Sequence, residues 1–217
     1  MEKKFFYLPF LVLVILLFNL YFNNENNQEK STVNKVANVT EHVESNYNEI
    51  TDFASLDNVI KQFIQDKIRH HETNINEAEV NDNLISEYLI HQLINYENSN
   101  PTQVIRDYCI LFQYCETHNS ETIAWRLNNF FYKNPKSVID VLSDIDNYLS
   151  ENFKNQNSLE AIYSSACAFP PEVTEEVPDF DLKNENKKMR DNLLTIKNNE
   201  NSRVVDYLIN NIFNEQL

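Results

Sequence analysis

The first apolar segment of the chain, residues 5–22, reads FFYLPFLVLVILLFNLYF and is almost uninterrupted hydrocarbon. As a helix it would rise roughly 27 Å at 1.5 Å per residue, just enough to cross the hydrocarbon core of a bilayer. Lys3 and Lys4 precede the run, whereas residues 23–29 carry two acids and no base. By the positive-inside rule, residues 1–22 predict a single-pass signal anchor with a cytoplasmic N-terminus and an extracytoplasmic domain after it.

A cleaved signal peptide is the main alternative for residues 1–22, and a buried core helix is a third. Cleavage needs small residues just after the apolar core. Residues 21–25 are Tyr-Phe-Asn-Asn-Glu and offer none. The sequence therefore favours an uncleaved anchor in the cell membrane, while cleavage would export the same domain to the periplasm or cell surface.

A polar segment without sustained periodicity follows, over residues 23–50. It predicts a flexible spacer between the anchor and a folded domain. Residues 51–217 then carry apolar positions at helical spacing, which predicts an all-α extracytoplasmic domain. Two adjacent prolines and three glutamates interrupt this pattern and predict an acidic loop at about residues 168–180.

Eight amphipathic helices are predicted from the apolar periodicity. Their apolar positions fall within residues 56–68, 80–93, 104–115, 123–131, 138–153, 159–166, 182–196 and 204–213. Polar residues that favour helix starts precede most of them. The predicted starts are Ser55, a capping box of Asn76 and Glu79, Asn100-Pro101, Asn119-Ser120, Asn134-Pro135, Asn157-Ser158 and Ser202.

A repeated spacing links four of these starts. Asn-Pro pairs at 100 and 134 each begin a helix, and Asn-Ser pairs at 119 and 157 each begin the helix that follows. An offset of this length is typical of α-hairpin repeats. The domain is therefore expected to be either a compact helical bundle or a short stack of antiparallel hairpins.

The composition excludes several function classes. The chain has no glycine, so it cannot form the glycine-dependent phosphate loop, dinucleotide turn or nucleophile elbow. Its formal net charge is −15, which argues against a nucleic-acid partner because such binding needs a basic face. An acidic, solvated surface is the simplest interpretation of this charge.

The three cysteines are Cys109, Cys115 and Cys167. Cys109 and Cys115 are six residues apart on one predicted helix, about 120° from each other, so a disulfide between them is not expected. A pair that includes Cys167 stays open for an exported protein. Buried, reduced thiols are the favoured interpretation of all three.

No catalytic, cofactor-binding or metal-binding set is predicted. His71-Glu72 begins like a zinc-protease helix, but Ile75 stands where the second histidine is required. Cys115 and His118 are a nucleophile and base only if the fold brings them together. Acidic residues such as Asp140 and Asp144 lie along one helix and predict a solvated face.

Trp125 and Tyr132 are the candidate binding residues. They lie two helical turns apart, beside the main apolar stripe of their helix. Exposed Trp and Tyr side chains are common anchors at protein interfaces. We therefore expect a protein partner that contacts both residues.

The favoured hypothesis is a membrane-tethered helical protein of the cell envelope that binds protein or peptide, with catalysis less favoured. The first alternative is an envelope hydrolase whose carboxylates converge only in the fold. The second is an immunity or inhibitor protein that presents its acidic surface to a basic toxin or lytic enzyme.

Overall fold

The computed structural model describes residues 50–73, 78–115, 117–168 and 181–214. Within these ranges the regular structure consists of eight α-helices with a few short helical turns, and no strand, which confirms the all-α prediction. The predicted anchor, most of the spacer, the Asn76 capping box and the loop over 169–180 lie outside the described residues. Among the helices that are described, none combines the length and the apolar character that a membrane crossing requires.

The helices are numbered α1 to α8 along the chain. They are α1 Phe53–Thr73, α2 Ala78–Ile94, α3 Pro101–Phe112, α4 Thr117–Lys133, α5 Pro135–Asp144, α6 Gln156–Cys167, α7 Leu182–Ile196 and α8 Ser202–Tyr207. Two single 3₁₀ turns, Ile145–Asn147 and Glu151–Phe153, connect α5 to α6, and a π-helical turn, Leu208–Ile212, continues α8.

The Asn-Pro pairs begin helices as predicted. Pro101 and Pro135 are the first residues of α3 and α5, where a missing backbone N–H costs nothing. The two caps differ in detail. Asn134 accepts a hydrogen bond from the Ser137 backbone N–H at 3.3 Å, whereas the Asn100 side chain bonds only to the side chain of Gln103.

Three other predicted starts are wrong by one to three residues. Asp52, not Ser55, caps α1, because its carboxylate accepts from the Ser55 N–H at 2.8 Å while the Ser55 hydroxyl accepts from the Asp52 N–H at 3.0 Å. In the same way Asn155, not Asn157, caps α6. Asn119 lies inside α4, where its buried side chain has other partners.

The predicted long helix over 138–153 is also wrong, because α5 ends at Asp144. The hydroxyl of Ser143 donates to the Ile139 carbonyl at 2.7 Å, and the Asn147 amide donates to the Asp144 carboxylate. Such local side-chain bonds compete with helix propagation. The chain turns here and places residues 148–150 against neighbouring helices.

The helices pack in two rows. One row runs α1, α3, α5 and α8, with each helix in contact with the next. The other runs α2, α4, α6 and the π-helical turn, again in sequence. Contacts between α1 and α2, and between α3 and α4, join the rows. Helices α1 to α6 thus alternate between the two rows, and α8 joins the row of α1, α3 and α5.

Buried apolar side chains from both rows form the core. Phe131 of α4 stacks on Phe213 after the π-helical turn, with ring centroids 6.0 Å apart and planes 9° from parallel. Polar ties cross the helix contacts: the Asn128 amide donates to the Ser165 carbonyl at 2.8 Å, and the Asn119 amide donates to the Ser86 hydroxyl at 2.7 Å. These bonds satisfy polar groups that helix packing buries.

Candidate functional site

A groove of about 350 Å³ lies on the row that contains α1, α3 and α5. It runs between α1 and α3 and is closed at one side by residues 148–150, which follow the 3₁₀ turn after α5. The residues that line it are Asp57, Ile60, Lys61, Ile64, Gln65, Ile68, Arg106, Asp107, Ile110, Tyr114, Tyr148, Leu149 and Ser150. This volume is within the range of ligand-binding clefts.

The α1 wall of the groove follows from helical periodicity. Asp57, Ile60, Ile64 and Ile68 recur every three or four residues and therefore share one face. Ile60 is buried, while Ile64 and Ile68 are only partly covered by their own domain. The wall thus begins at a carboxylate and continues as an aliphatic strip that is not fully packed.

An ion-pair cluster occupies the end of the groove near the start of α1. The Arg106 Nη2 atom lies 3.0 Å from Oδ1 of Asp57 and 3.0 Å from Oδ1 of Asp107, so one guanidinium joins two carboxylates. Lys61 reaches the other oxygen of Asp57 at 2.5 Å from the solvent side. The guanidinium carbon of Arg106 also lies 5.2 Å from the ring centre of Tyr148.

Asp107 is the least usual member of this cluster. Its side chain is 2 % exposed, and its Oδ2 atom is buried with no hydrogen-bond partner in the structure. Burial disfavours the charged form and, although Arg106 opposes it, raises the pKa of Asp107 to about 6. A buried acceptor without a donor is uncommon in folded proteins and often marks a functional group.

The tyrosines at the far side of the groove fix its shape. The Tyr114 hydroxyl hydrogen-bonds to the Ser150 hydroxyl at 3.1 Å, and its ring packs edge-on against Phe153. Tyr148 is 48 % exposed and forms part of the rim. These contacts attach the chain that follows α5 to the C-terminal end of α3.

Sequence reasoning missed the groove, although one of its residues carried a signal. Tyr148 lies in a segment whose apolar spacing predicts a helix, so its position against α3 could not be anticipated. Asp107 carried a readable signal, because it lies in a helix whose other positions are mostly apolar. A charged residue in such a helix is buried with a partner, and Arg106 is adjacent.

The predicted binding residues Trp125 and Tyr132 both lie on α4 but differ in exposure. Trp125 is 49 % exposed, and the Arg126 guanidinium lies 5.0 Å from its ring centre. Tyr132 is half-buried, and its hydroxyl donates to the Cys167 carbonyl at 3.3 Å. Their joint use as a partner anchor stays a prediction.

The thiols are free in this structure. Cys109 and Cys167 are fully buried, as predicted, and Cys115 is half-buried. Burial raises the pKa of the Cys115 thiol to about 11, which leaves almost no thiolate at neutral pH. His118, its possible catalytic base, is exposed. Cys115 is therefore a poor nucleophile.

Other candidates from the sequence are the histidines near the end of α1 and the acids of α5. The side chains of His70 and His71 are outside the described residues, although the α1 backbone continues through them. Asp140 is exposed and pairs with Lys136 at 2.6 Å, as expected of a solvated face. Within the described ranges, no three potential metal ligands cluster.

Comparison of this chain with protein-family models, with curated proteins and with solved structures finds no match in any of the three.

Proposed function

We propose that this protein binds a segment of a partner protein in the groove between α1 and α3. The observation that carries the proposal is the combination of a partly uncovered isoleucine strip with Asp107, whose buried Oδ2 atom lacks a donor. Ligand sites in proteins are mostly apolar concavities with a few polar groups that fix orientation. The groove has both features.

The packing of the helices supports this function. We propose that the two rows form a short stack of helical hairpins, which is one of the two architectures that the sequence predicts, the other being a compact bundle. Helical stacks expose an extended concave surface on one row, and peptide segments commonly bind there. The groove lies on such a row, between α1, α3 and the chain that follows α5.

A photo-crosslinking residue at Gln65 tests the proposal. Gln65 is exposed and lines the groove, so a crosslinker placed there in the full chain contacts whatever is bound. Gln62 is a matched control, since it is an exposed glutamine of the same helix that does not line the groove. Lys187, exposed on α7, is a second, distant control.

The expected result in native envelopes is a discrete adduct from Gln65 that is weak or absent from both control positions. Ile64→Ser removes an aliphatic contact from the strip, so the Gln65 adduct should fall while the fold is kept. Equal labelling from Gln65 and Lys187 would contradict a groove-specific partner. A basic toxin or lytic enzyme in the adduct would identify the binding as inhibition.

We also propose that residues 1–22 tether this domain to the cell membrane and place it outside the cytoplasm. Support comes from the apolar run, the two lysines before it and the acidic segment after it. Protease added to intact cells and to spheroplasts tests the topology, read together with the N-terminal sequence of the mature chain. A full-length chain that resists protease in spheroplasts would overturn the proposal.

Hydrolysis is a second candidate function, because two carboxylates share the groove. Asp107 is protonated below about pH 6, and Asp57 lies 3.0 Å from the same arginine, so an acid and a second carboxyl group share Arg106. Release of reducing sugar or free amine from isolated envelopes at pH 5, compared between wild type and Asp57→Asn, tests it. Equal release by both proteins would exclude this role of the pair.

A further inference from the structure

We infer that the segment bound in the groove carries a basic group, an ammonium or a guanidinium, which lies against Asp107 beside the aliphatic side chains that fill the rest of the groove. The inference rests on the proposed peptide-binding function and specifies the chemistry of its ligand. Three features of the groove lead to it: an acceptor without a donor, an excess of buried negative charge, and the length of the aliphatic strip.

The first feature is the Oδ2 atom of Asp107. The other oxygen of this carboxylate accepts from Arg106, through Nε at 3.1 Å, but Oδ2 has no hydrogen-bond partner in the structure. A buried acceptor left without a donor loses its hydration and gains nothing in return. A donor on the ligand recovers that loss on binding. A ligand carboxylate cannot recover that loss, because it has no hydrogen-bond donor when it is ionised.

The second feature is the balance of charge around Asp107. Arg106 is the guanidinium in the recess, and it faces both Asp107 and Asp57. Lys61 contacts the outer side of Asp57 with a side chain that is 63 % exposed, so solvent screens its charge. One negative charge in the recess is therefore poorly compensated when both carboxylates are ionised. The net charge of the whole chain, −15, adds an attraction for cationic partners.

In the unbound protein, a proton on Asp107 neutralises the buried carboxylate, which is the role that we assign to the basic group of the ligand. With Arg106, Asp57 and Lys61 as the charged groups around it, the Asp107 carboxyl still has a pKa of about 6, because burial outweighs the neighbouring positive charges. A basic group of the ligand would replace this proton. Binding near pH 6 should therefore release protons to the buffer.

The third feature is length. Asp57 and Ile68 are separated by 11 residues of α1, roughly 16 Å at 1.5 Å per residue. An extended pentapeptide covers about this distance at 3.3 Å per residue. In that conformation, every second side chain of the ligand faces the groove. A ligand with a basic first residue and aliphatic third and fifth residues would therefore place its basic group against Asp107 and its aliphatic side chains along the strip.

Three acetylated and amidated pentapeptides test the inference on the full chain in lipid nanodiscs. The first has the sequence Lys-Ser-Leu-Ser-Leu, which puts lysine and both leucines on one face of the extended chain, and the others carry norleucine or glutamate in place of lysine. Norleucine keeps the aliphatic stem and lacks the ammonium. Affinity is measured from the shifts of the methyl signals of Ile64 and Ile110, both of which line the groove.

We expect the lysine peptide to bind at least about tenfold more tightly than the norleucine peptide, and the glutamate peptide to bind most weakly. Asp107→Asn should abolish the preference for the lysine peptide over the norleucine peptide. Asp140→Asn, an exposed acid outside the groove, should leave all three affinities unchanged. Calorimetry of the wild type at pH 6 in two buffers should show proton release with the lysine peptide alone.

The contradicting results separate the two proposals. Equal binding of the lysine and norleucine peptides, or tighter binding of the glutamate peptide, would overturn the basic group while leaving the groove as a binding site. If no peptide perturbs Ile64 or Ile110, both proposals fail. Should Asp107→Asn not fold, the lysine–norleucine ratio and the proton release of the wild-type protein still decide the inference.

Discussion

Asp107→Asn should change how the stability of this protein depends on pH. The pKa of Asp107 rises from 3.8 to about 6 on folding, so between these values the folded state binds more protons than the unfolded state. The contribution of Asp107 to the free energy of unfolding therefore falls as the pH rises from about 4 to 6. It does not fall further above pH 6. Asparagine keeps the shape and the acceptor for Arg106 but cannot titrate.

The size of the effect follows from the pKa difference. A difference of roughly two pKa units corresponds to about 3 kcal/mol of folding free energy. Solvent screens the Asp107 carboxylate little, because its side chain is only 2 % exposed. The free energy of unfolding of the variant minus that of the wild type should thus increase by about 2.5 kcal/mol between pH 4 and pH 7, since about 0.5 kcal/mol of the full effect lies below pH 4. Carboxylates that are common to both proteins cancel in this difference.

Urea unfolding followed by far-ultraviolet circular dichroism measures the difference at pH 4, 5, 6 and 7, on the full chain in mild detergent. Asp140→Asn is the matched control, since Asp140 is exposed and pairs with Lys136 on one helix face. Its difference from wild type should stay nearly constant with pH. A constant difference for Asp107→Asn as well, or one that decreases with pH, would refute the assignment of Asp107 as a buried, poorly compensated carboxylate.

Four substitutions and one labelling experiment test other parts of the structure. Asn134→Ala should cost about 1 kcal/mol in urea unfolding, while Asn100→Ala should cost less, because only Asn134 accepts a bond from the helix backbone. Phe131→Ala should destabilise the fold by about 3–5 kcal/mol, and a loss under 1 kcal/mol would contradict its central stacking. Trp125→Ala should change stability by no more than about 0.5 kcal/mol, since the side chain is half exposed, and a larger loss would show that it belongs to the core. Iodoacetamide at pH 7.5 should label the folded chain slowly and the unfolded chain fast, with fast labelling of folded Cys115 as the contradicting result.

The helical pattern of the domain could be predicted because period and caps agree along most of the chain. Val138, Ile139 and Leu142 mark the buried face of α5 just as Val104 and Ile105 mark that of α3, and all five are buried in the structure. Cap positions were less predictable. The favourable residues Asn, Asp and Ser occur close together in this sequence, so several neighbours compete for the same role.

The groove could not be predicted because it depends on contacts between distant segments. The apolar pattern continues past Asp144, and nothing in the periodicity shows that Ser143 and Asn147 bond locally and end α5. Tyr148 reaches the Arg106 guanidinium only because of that break. In the sequence, nothing distinguishes Asp57 from an ordinary surface acid, and only the fold places it beside Arg106.

The most direct test of the groove as a binding site is the position of the crosslink formed from Gln65 in native envelopes. Mass spectrometry of the adduct should locate its other end in a partner segment with aliphatic residues next to a lysine or arginine, and the adduct should be lost in Ile64→Ser. An equal yield from Gln62, or an adduct that persists unchanged in Ile64→Ser, would contradict the groove as the site of binding.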